Sequence, residues 1–167
     1  MTRHWAAAGS AIFFALAPGI VAGLIPWWLT GWRVATPLAV WGPFRVAGAA
    51  VTVLATLVLV SAFARFVVEG IGTPAPVAPP RQLVVGGLYR HIRNPMYVAV
   101  IGAIVGQALL FRQPVLLVYA AAVAAAMFAF VHLYEEPNLA ARFGAEYEVY
   151  RRNVPGWWPR LRPWKPG

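Results

Sequence analysis

Four apolar stretches, almost free of charge, dominate this sequence and restrict the folds open to it. They cover about residues 6–29, 46–68, 96–111 and 114–134. A helix needs roughly 20 apolar residues to cross a bilayer, so the third stretch, with 16 residues, is short and the others suffice. Only 11% of the chain is charged and 60% is hydrophobic, whereas a soluble domain carries about 25% charged residues. The expected fold is therefore an all-α integral membrane protein, a single domain over residues 1–167 with about four transmembrane helices. The first stretch exceeds the roughly 7–15-residue apolar core of a cleaved signal peptide and reads as a span, with Pro18 and Pro26 as kink points.

Thirteen Arg and one Lys against five Glu give a net charge of +9, but no soluble basic domain carries these residues. Membrane lipids are the expected partners, not nucleic acid, and no protein partner is evident. With the N-terminus in the cytoplasm, Arg33, Arg45 and Arg112 fall on the far side and the other eleven basic residues inside. That asymmetry places both termini in the cytoplasm. The eight Trp lie near span ends or in the tail, where the membrane interface favours them.

Arg112, Gln113 and Pro114 leave room only for a tight turn, so spans three and four form an antiparallel hairpin. The proline-rich segment 70–81 reads as an extended connector, and the tail from Val154 is too rich in proline for helix. Between Pro137 and that tail, Leu139, Phe143, Tyr147 and Tyr150 follow helical spacing. They suggest one cytoplasmic amphipathic helix, in which Gly144 costs about 1 kcal/mol relative to Ala.

The hairpin brings two polar blocks to one membrane face: residues 87–97, with Tyr89, Arg90, His91, Arg93, Asn94 and Tyr97, and residues 134–137, with Glu135 and Glu136. Ionisable groups at the edge of hydrocarbon are costly unless they pair or bind a polar ligand. Adjacent glutamates on a helix project about 100° apart, so one can face a pocket while the other pairs with Arg90 or Arg93. Mixed charge of this kind suits a ligand that is both zwitterionic and cationic. Other chemistries are excluded or weakly supported. The chain has no Cys, no Asp and no glycine-rich phosphate loop. His132 and Glu136 share a helical face, but zinc needs further ligands, and no metal site is expected.

The ordered residues Gly87, Tyr89, Arg93, Asn94, Pro95 and Tyr97, then Glu135 and Glu136, then Phe143, Gly144, Tyr147 and Tyr150, and finally Val154 and Pro155 carry a resemblance. Over about residues 81–160 the chain resembles the isoprenylcysteine carboxyl methyltransferase and phospholipid methyltransferase superfamily of integral membrane proteins. The resemblance implies S-adenosyl-L-methionine bound at the cytoplasmic ends of the last two spans. Its contacts would come from Tyr89, Arg90, His91, Arg93, Asn94, Pro95, Tyr97, Glu135, Glu136 and Tyr147. Glu136, Arg151 and Arg152 would serve the reaction, the arginines by holding a carboxylate or phosphate of a lipophilic methyl acceptor such as an isoprenylcysteine carboxylate or a phospholipid amine. Two departures, Asn94 where the superfamily often has His and Asn153 where prenylcysteine-specific members carry Arg, weaken the case for a prenylcysteine acceptor. Two other classes compete: an NADPH-dependent membrane reductase of the sterol-reductase type, whose nucleotide phosphates a glutamate pair would repel, and a non-enzymatic membrane subunit.

Overall fold

The computed structural model describes residues 16–35, 39–70 and 82–165. The expected beginning of the first span and nearly all of the connector at 70–81 lie outside them. Regular structure among the described residues is helical throughout: α1 (Leu16–Thr30), α2 (Gly42–Gly70), α3 (Pro95–Phe111), α4 (Pro114–Phe130), α5 (Glu136–Phe143) and α6 (Ala145–Asn153). A π-helical turn, Val131–Glu135, joins α4 to α5 without interruption. Two helical stretches are long and apolar enough to cross a membrane, Gly42–Arg65 and Pro114–Phe143. The remaining apolar helices, Leu16–Thr30 and Pro95–Phe111, are shorter, so length singles out two spans where the sequence suggested about four.

α2 and α3 cross closely because both present glycine at the contact. A Cβ on Gly48 would stand 2.5 Å from the backbone nitrogen of Leu110, and one on Gly106 would stand 2.8 Å from that of Thr52. Without side chains there, the two backbones approach and pack by dispersion, which drives helix association in lipid. Leu59 of α2, Val100 and Ile104 of α3, and Leu116 and Ala120 of α4 form the main core, with Val21 and Ala22 of α1 against it. The α3–α4 hairpin turns at Arg112 and Gln113 as expected; Arg112 is left-handed, with φ 53°, and the Gln113 N–H donates to Ala108 O at 2.9 Å.

Proline inside a helix removes one N–H and presses its ring on the carbonyl four residues earlier. Among the described residues, Pro26 and Pro137 each follow a π-helical turn, Ile20–Leu24 and Val131–Glu135 respectively. In the first, the Ile25 N–H reaches back to Ile20 O, so Val21 O and Ala22 O lose their helical donors. Other helices supply replacements: the Tyr119 hydroxyl donates to Val21 O at 2.9 Å and Gln107 Nε2 to Ala22 O at 2.7 Å. Gln107 Oε1 then accepts from the Trp32 indole N–H at 3.1 Å. A buried glutamine in the apolar α3 is thereby explained as the partner of a proline-broken helix.

The single amphipathic helix expected after Pro137 is instead two. Gly144, at φ 52° and ψ −125°, ends α5 and starts α6 in a conformation that side-chain-bearing residues rarely adopt. Helical spacing continues across the break, which hides it from a periodicity argument.

Replacing Gln107 with Leu should leave the Ala22 carbonyl and the Trp32 indole unpaired. We expect a loss of about 1–3 kcal/mol, read as a lower thermal midpoint in detergent.

Candidate functional site

A single 3-10 turn, Gly87–Arg90, leads through His91, Ile92 and Arg93 to Asn94, the N-cap position of α3. Pro95 opens the helix, where a missing N–H costs nothing. Asn is among the preferred N-cap residues, yet the Asn94 side chain makes no capping bond. Its amide nitrogen is buried and has no hydrogen-bond partner among the described residues.

Arg93 joins four segments. Its Nη1 donates to Glu136 Oε1 at 2.8 Å and to the Tyr147 hydroxyl at 3.0 Å, and its Nε donates to Val154 O at 3.0 Å. The turn is thus tied to the start of α5, to α6 and to the tail. Arg151 approaches the other oxygen of Glu136 at 3.7 Å from a half-exposed position. Glu135, on the preceding residue, accepts instead from the Tyr97 hydroxyl at 2.8 Å. Among the described residues it forms no ion pair, so the two glutamates take different partners, and neither pairs with Arg90.

The tail reinforces this frame through its main chain. Arg93 N–H donates to Pro155 O at 2.9 Å, Asn94 N–H to Gly156 O at 3.2 Å, Arg160 N–H to His91 O at 2.9 Å and Trp164 N–H to Arg90 O at 3.0 Å. From α6, the Tyr150 hydroxyl donates to Tyr89 O at 2.7 Å. Burial pushes the Tyr150 hydroxyl above its usual pKa. Burial also raises that of Tyr147, against an opposing pull from Arg93.

These groups edge a cavity of about 560 Å³. Tyr89, Arg93, Asn94, Pro95 and Tyr97 line it from the turn and the start of α3; Glu135 and Glu136 do so from the π-helical turn and α5, and Tyr147 from α6. Arg90 and His91 do not line it; they line a separate recess on the other side of the turn. Arg152 is exposed and outside the cavity, and Arg151 reaches only its Glu136 edge. Most of the remaining wall is apolar, with Val21, Leu59, Phe63, Val100, Met127 and Phe130 drawn from all four apolar helices, and Arg142 adds a further charge from α5. Leu139, Phe143 and Tyr150, expected on the apolar face of the amphipathic helix, also line it, as does Asn138. Spacing identified that face but not where it points; the apolar lining from α1 and α2 had no local signal at all.

Fold and cavity together define a helical membrane protein with a ligand-sized chamber, apolar between its helices and charged at one end. The profile of the phospholipid methyltransferase family matches residues 43–146, well over half of the chain, and the protein belongs to that family. The resemblance read from the two polar blocks is thereby borne out at family level, and the chain is an integral membrane protein of a methyltransferase family. No curated protein matches the chain.

Tyr150→Phe should cost about 1–3 kcal/mol, because the Tyr89 carbonyl loses its donor in a buried setting. Native Tyr147 and Tyr150 hold their protons beyond the ordinary tyrosine pKa of about 10, whereas the unfolded chain releases them there. The unfolded state therefore gains relative to the native one as pH rises above about 10. The contribution of these tyrosines to stability should be intact between neutral pH and about 9, then fall, with a smaller fall in Tyr150→Phe; thermal midpoints across alkaline pH check this.

Proposed function

We propose that the protein is an S-adenosyl-L-methionine-dependent methyltransferase acting at the cytoplasmic membrane face on a lipid or lipophilic small molecule. The observation that carries this reading is the divided cavity: charged and amide groups at one end, and an apolar chamber between the helices at the other. A water-soluble zwitterion fits the first part and a hydrocarbon chain the second. The cavity volume lies within the range of about 300–1,000 Å³ found for small-molecule sites.

The residues present fit the cofactor. The Asn94 amide offers a buried donor without a partner. Arg93 keeps its Nη2 edge, beside Gly156, for a carboxylate. Glu135, paired with no cation among the described residues, offers negative charge to an ammonium or sulfonium, with the Tyr97 ring next to it. When bound, S-adenosyl-L-methionine supplies an activated methyl group for direct displacement by the acceptor.

The chain then has four tasks. Arg93, fixed by Glu136, Tyr147 and Val154, orients the polar end before any ligand arrives, so little ordering remains to be done at the moment of reaction. The apolar wall from Val100, Met127 and Phe130 keeps water from the acceptor. Glu135 takes the proton of an amine acceptor, whereas a carboxylate acceptor needs no base. Arg151, beside Glu136 and half-exposed, meets an anionic group of the acceptor at the membrane surface.

Calorimetry in detergent with S-adenosylhomocysteine tests the proposal, and absence of binding at millimolar concentration would sink it. Glu136→Gln should weaken that binding about tenfold or more, because Arg93 loses the charge that holds it in place. Stabilisation by NADPH but not by S-adenosylhomocysteine would turn the assignment to the reductase class.

A further inference from the structure

The helical stretch Pro114–Phe143 carries a column of residues at four-residue intervals: Phe130, Tyr134, Asn138 and Arg142. All of them line the cavity, so they share one face of the helix despite the π-helical turn that contains Tyr134. The Phe130 and Tyr134 rings stack, with centroids 5.1 Å apart. Each member of the column is exposed as well as lining, so the column forms part of the cavity's rim.

Along its length the column changes from an apolar ring to a phenol, an amide and a guanidinium. From Phe130 to Arg142 it rises about 18 Å, at about 1.5 Å per residue. The stretch has 30 residues, about ten more than hydrocarbon requires, so its polar end stands beyond the apolar layer. An amphiphile lying in the cavity would meet the same sequence of environments, chain first and head last.

The charge at the head of the column is uncommitted. Arg93 is held by Glu136 and Tyr147, and Arg151 is shared between Glu136 and Glu148 at 3.7 and 3.8 Å. Arg142 lies six residues beyond Glu136, about 120° round the helix, and so on a different face from that pair. Among the described residues, no hydrogen bond or ion pair engages the side chain of Tyr134, Asn138 or Arg142. Arg142 rests against the Phe143 ring, 5.6 Å from its centroid. A guanidinium binds an oxyanion through paired, charge-assisted hydrogen bonds.

The geometry points to Arg142 as a residue that sets acceptor specificity: it takes an oxyanion on the head of an amphiphile whose chain lies along Phe130. This rests on the reading of the cavity as the place of a lipophilic methyl acceptor. Neutral amphiphiles of the same chain length are then discriminated against at the rim, before they reach the buried polar end.

Purified protein in dodecyl maltoside, without cofactor, tests this with dodecyl phosphate and dodecanol, which share a chain and differ in the head. The thermal midpoint is the readout, because a ligand that binds only the folded state raises it in a saturable way. Dodecyl phosphate should act at about a tenfold lower mole fraction than dodecanol, and inorganic phosphate alone should give no shift. Arg142→Gln should remove that preference. Arg45→Gln, which removes an equal charge at the opposite end of α2 from the cavity-lining Leu59 and Phe63, should leave it intact. Phe130→Ala should weaken both amphiphiles alike. The proposal is overturned by equal binding of the two amphiphiles, as a merely solvated column would give, or by an equal shift with inorganic phosphate. It is overturned too by a preference that survives Arg142→Gln or falls equally in Arg45→Gln, or by binding that Phe130→Ala leaves unchanged. No arm contains cofactor, so failure here leaves methyl transfer to be judged by S-adenosylhomocysteine binding, and failure of that binding leaves this result standing.

Discussion

Arg93 is the group on which the rest of the site depends. A guanidinium near hydrocarbon is tolerable only when it is paired, and here Nη1 and Nε are met by Glu136, Tyr147 and Val154 from three different segments. Glu136 in turn is a buried carboxylate that Arg93 and Arg151 neutralise. Removing one partner of such a pair typically costs about 3–5 kcal/mol, because the other charge is left uncompensated. The same residue therefore fixes the fold of the polar end and shapes the ligand-facing surface, and these roles cannot be altered separately.

A second constraint acts deeper in the membrane. Pro26 and Pro137 would break their helices were it not for the π-helical turns before them, and each wide turn leaves main-chain groups that lipid cannot satisfy. At Pro26 the cost is met by Gln107 and Tyr119 across helix boundaries. At Pro137 the wide turn contains Glu135 and is followed by Glu136, so the irregularity falls where the two carboxylates must take different directions. Irregular helix geometry is thus concentrated beside the cavity, in keeping with the frequent use of π-bulges at functional sites.

Much of this was legible in the sequence. The apolar stretches, the tight turn at Arg112 and Gln113, and the meeting of Arg93 with the glutamate pair follow from hydrophobic length, the position of Pro114 and the scarcity of acidic residues. Three things were not. Gly144 divides the terminal helix although the apolar spacing runs through it, because periodicity records faces and not φ angles. Arg90 and His91 turn away from Arg93 because a 3-10 turn changes side-chain direction more sharply than sequence proximity suggests. The tail contacts escaped because they are main-chain bonds, which carry no residue-type signature.

That last property has an evolutionary consequence. The segment 155–164 is fastened to the turn by backbone hydrogen bonds, so its fastening depends on chain shape and not on most of its side chains. Trp157 stacks on Phe128 of α4 with ring centroids 5.5 Å apart, whereas Trp158 and Leu161, which are largely exposed, are thereby released from architectural duty. Substitutions at these positions can reshape what the protein meets at its rim while the frame beneath stays intact. Sequence change in this segment need not be preceded by the re-evolution of a stable fold.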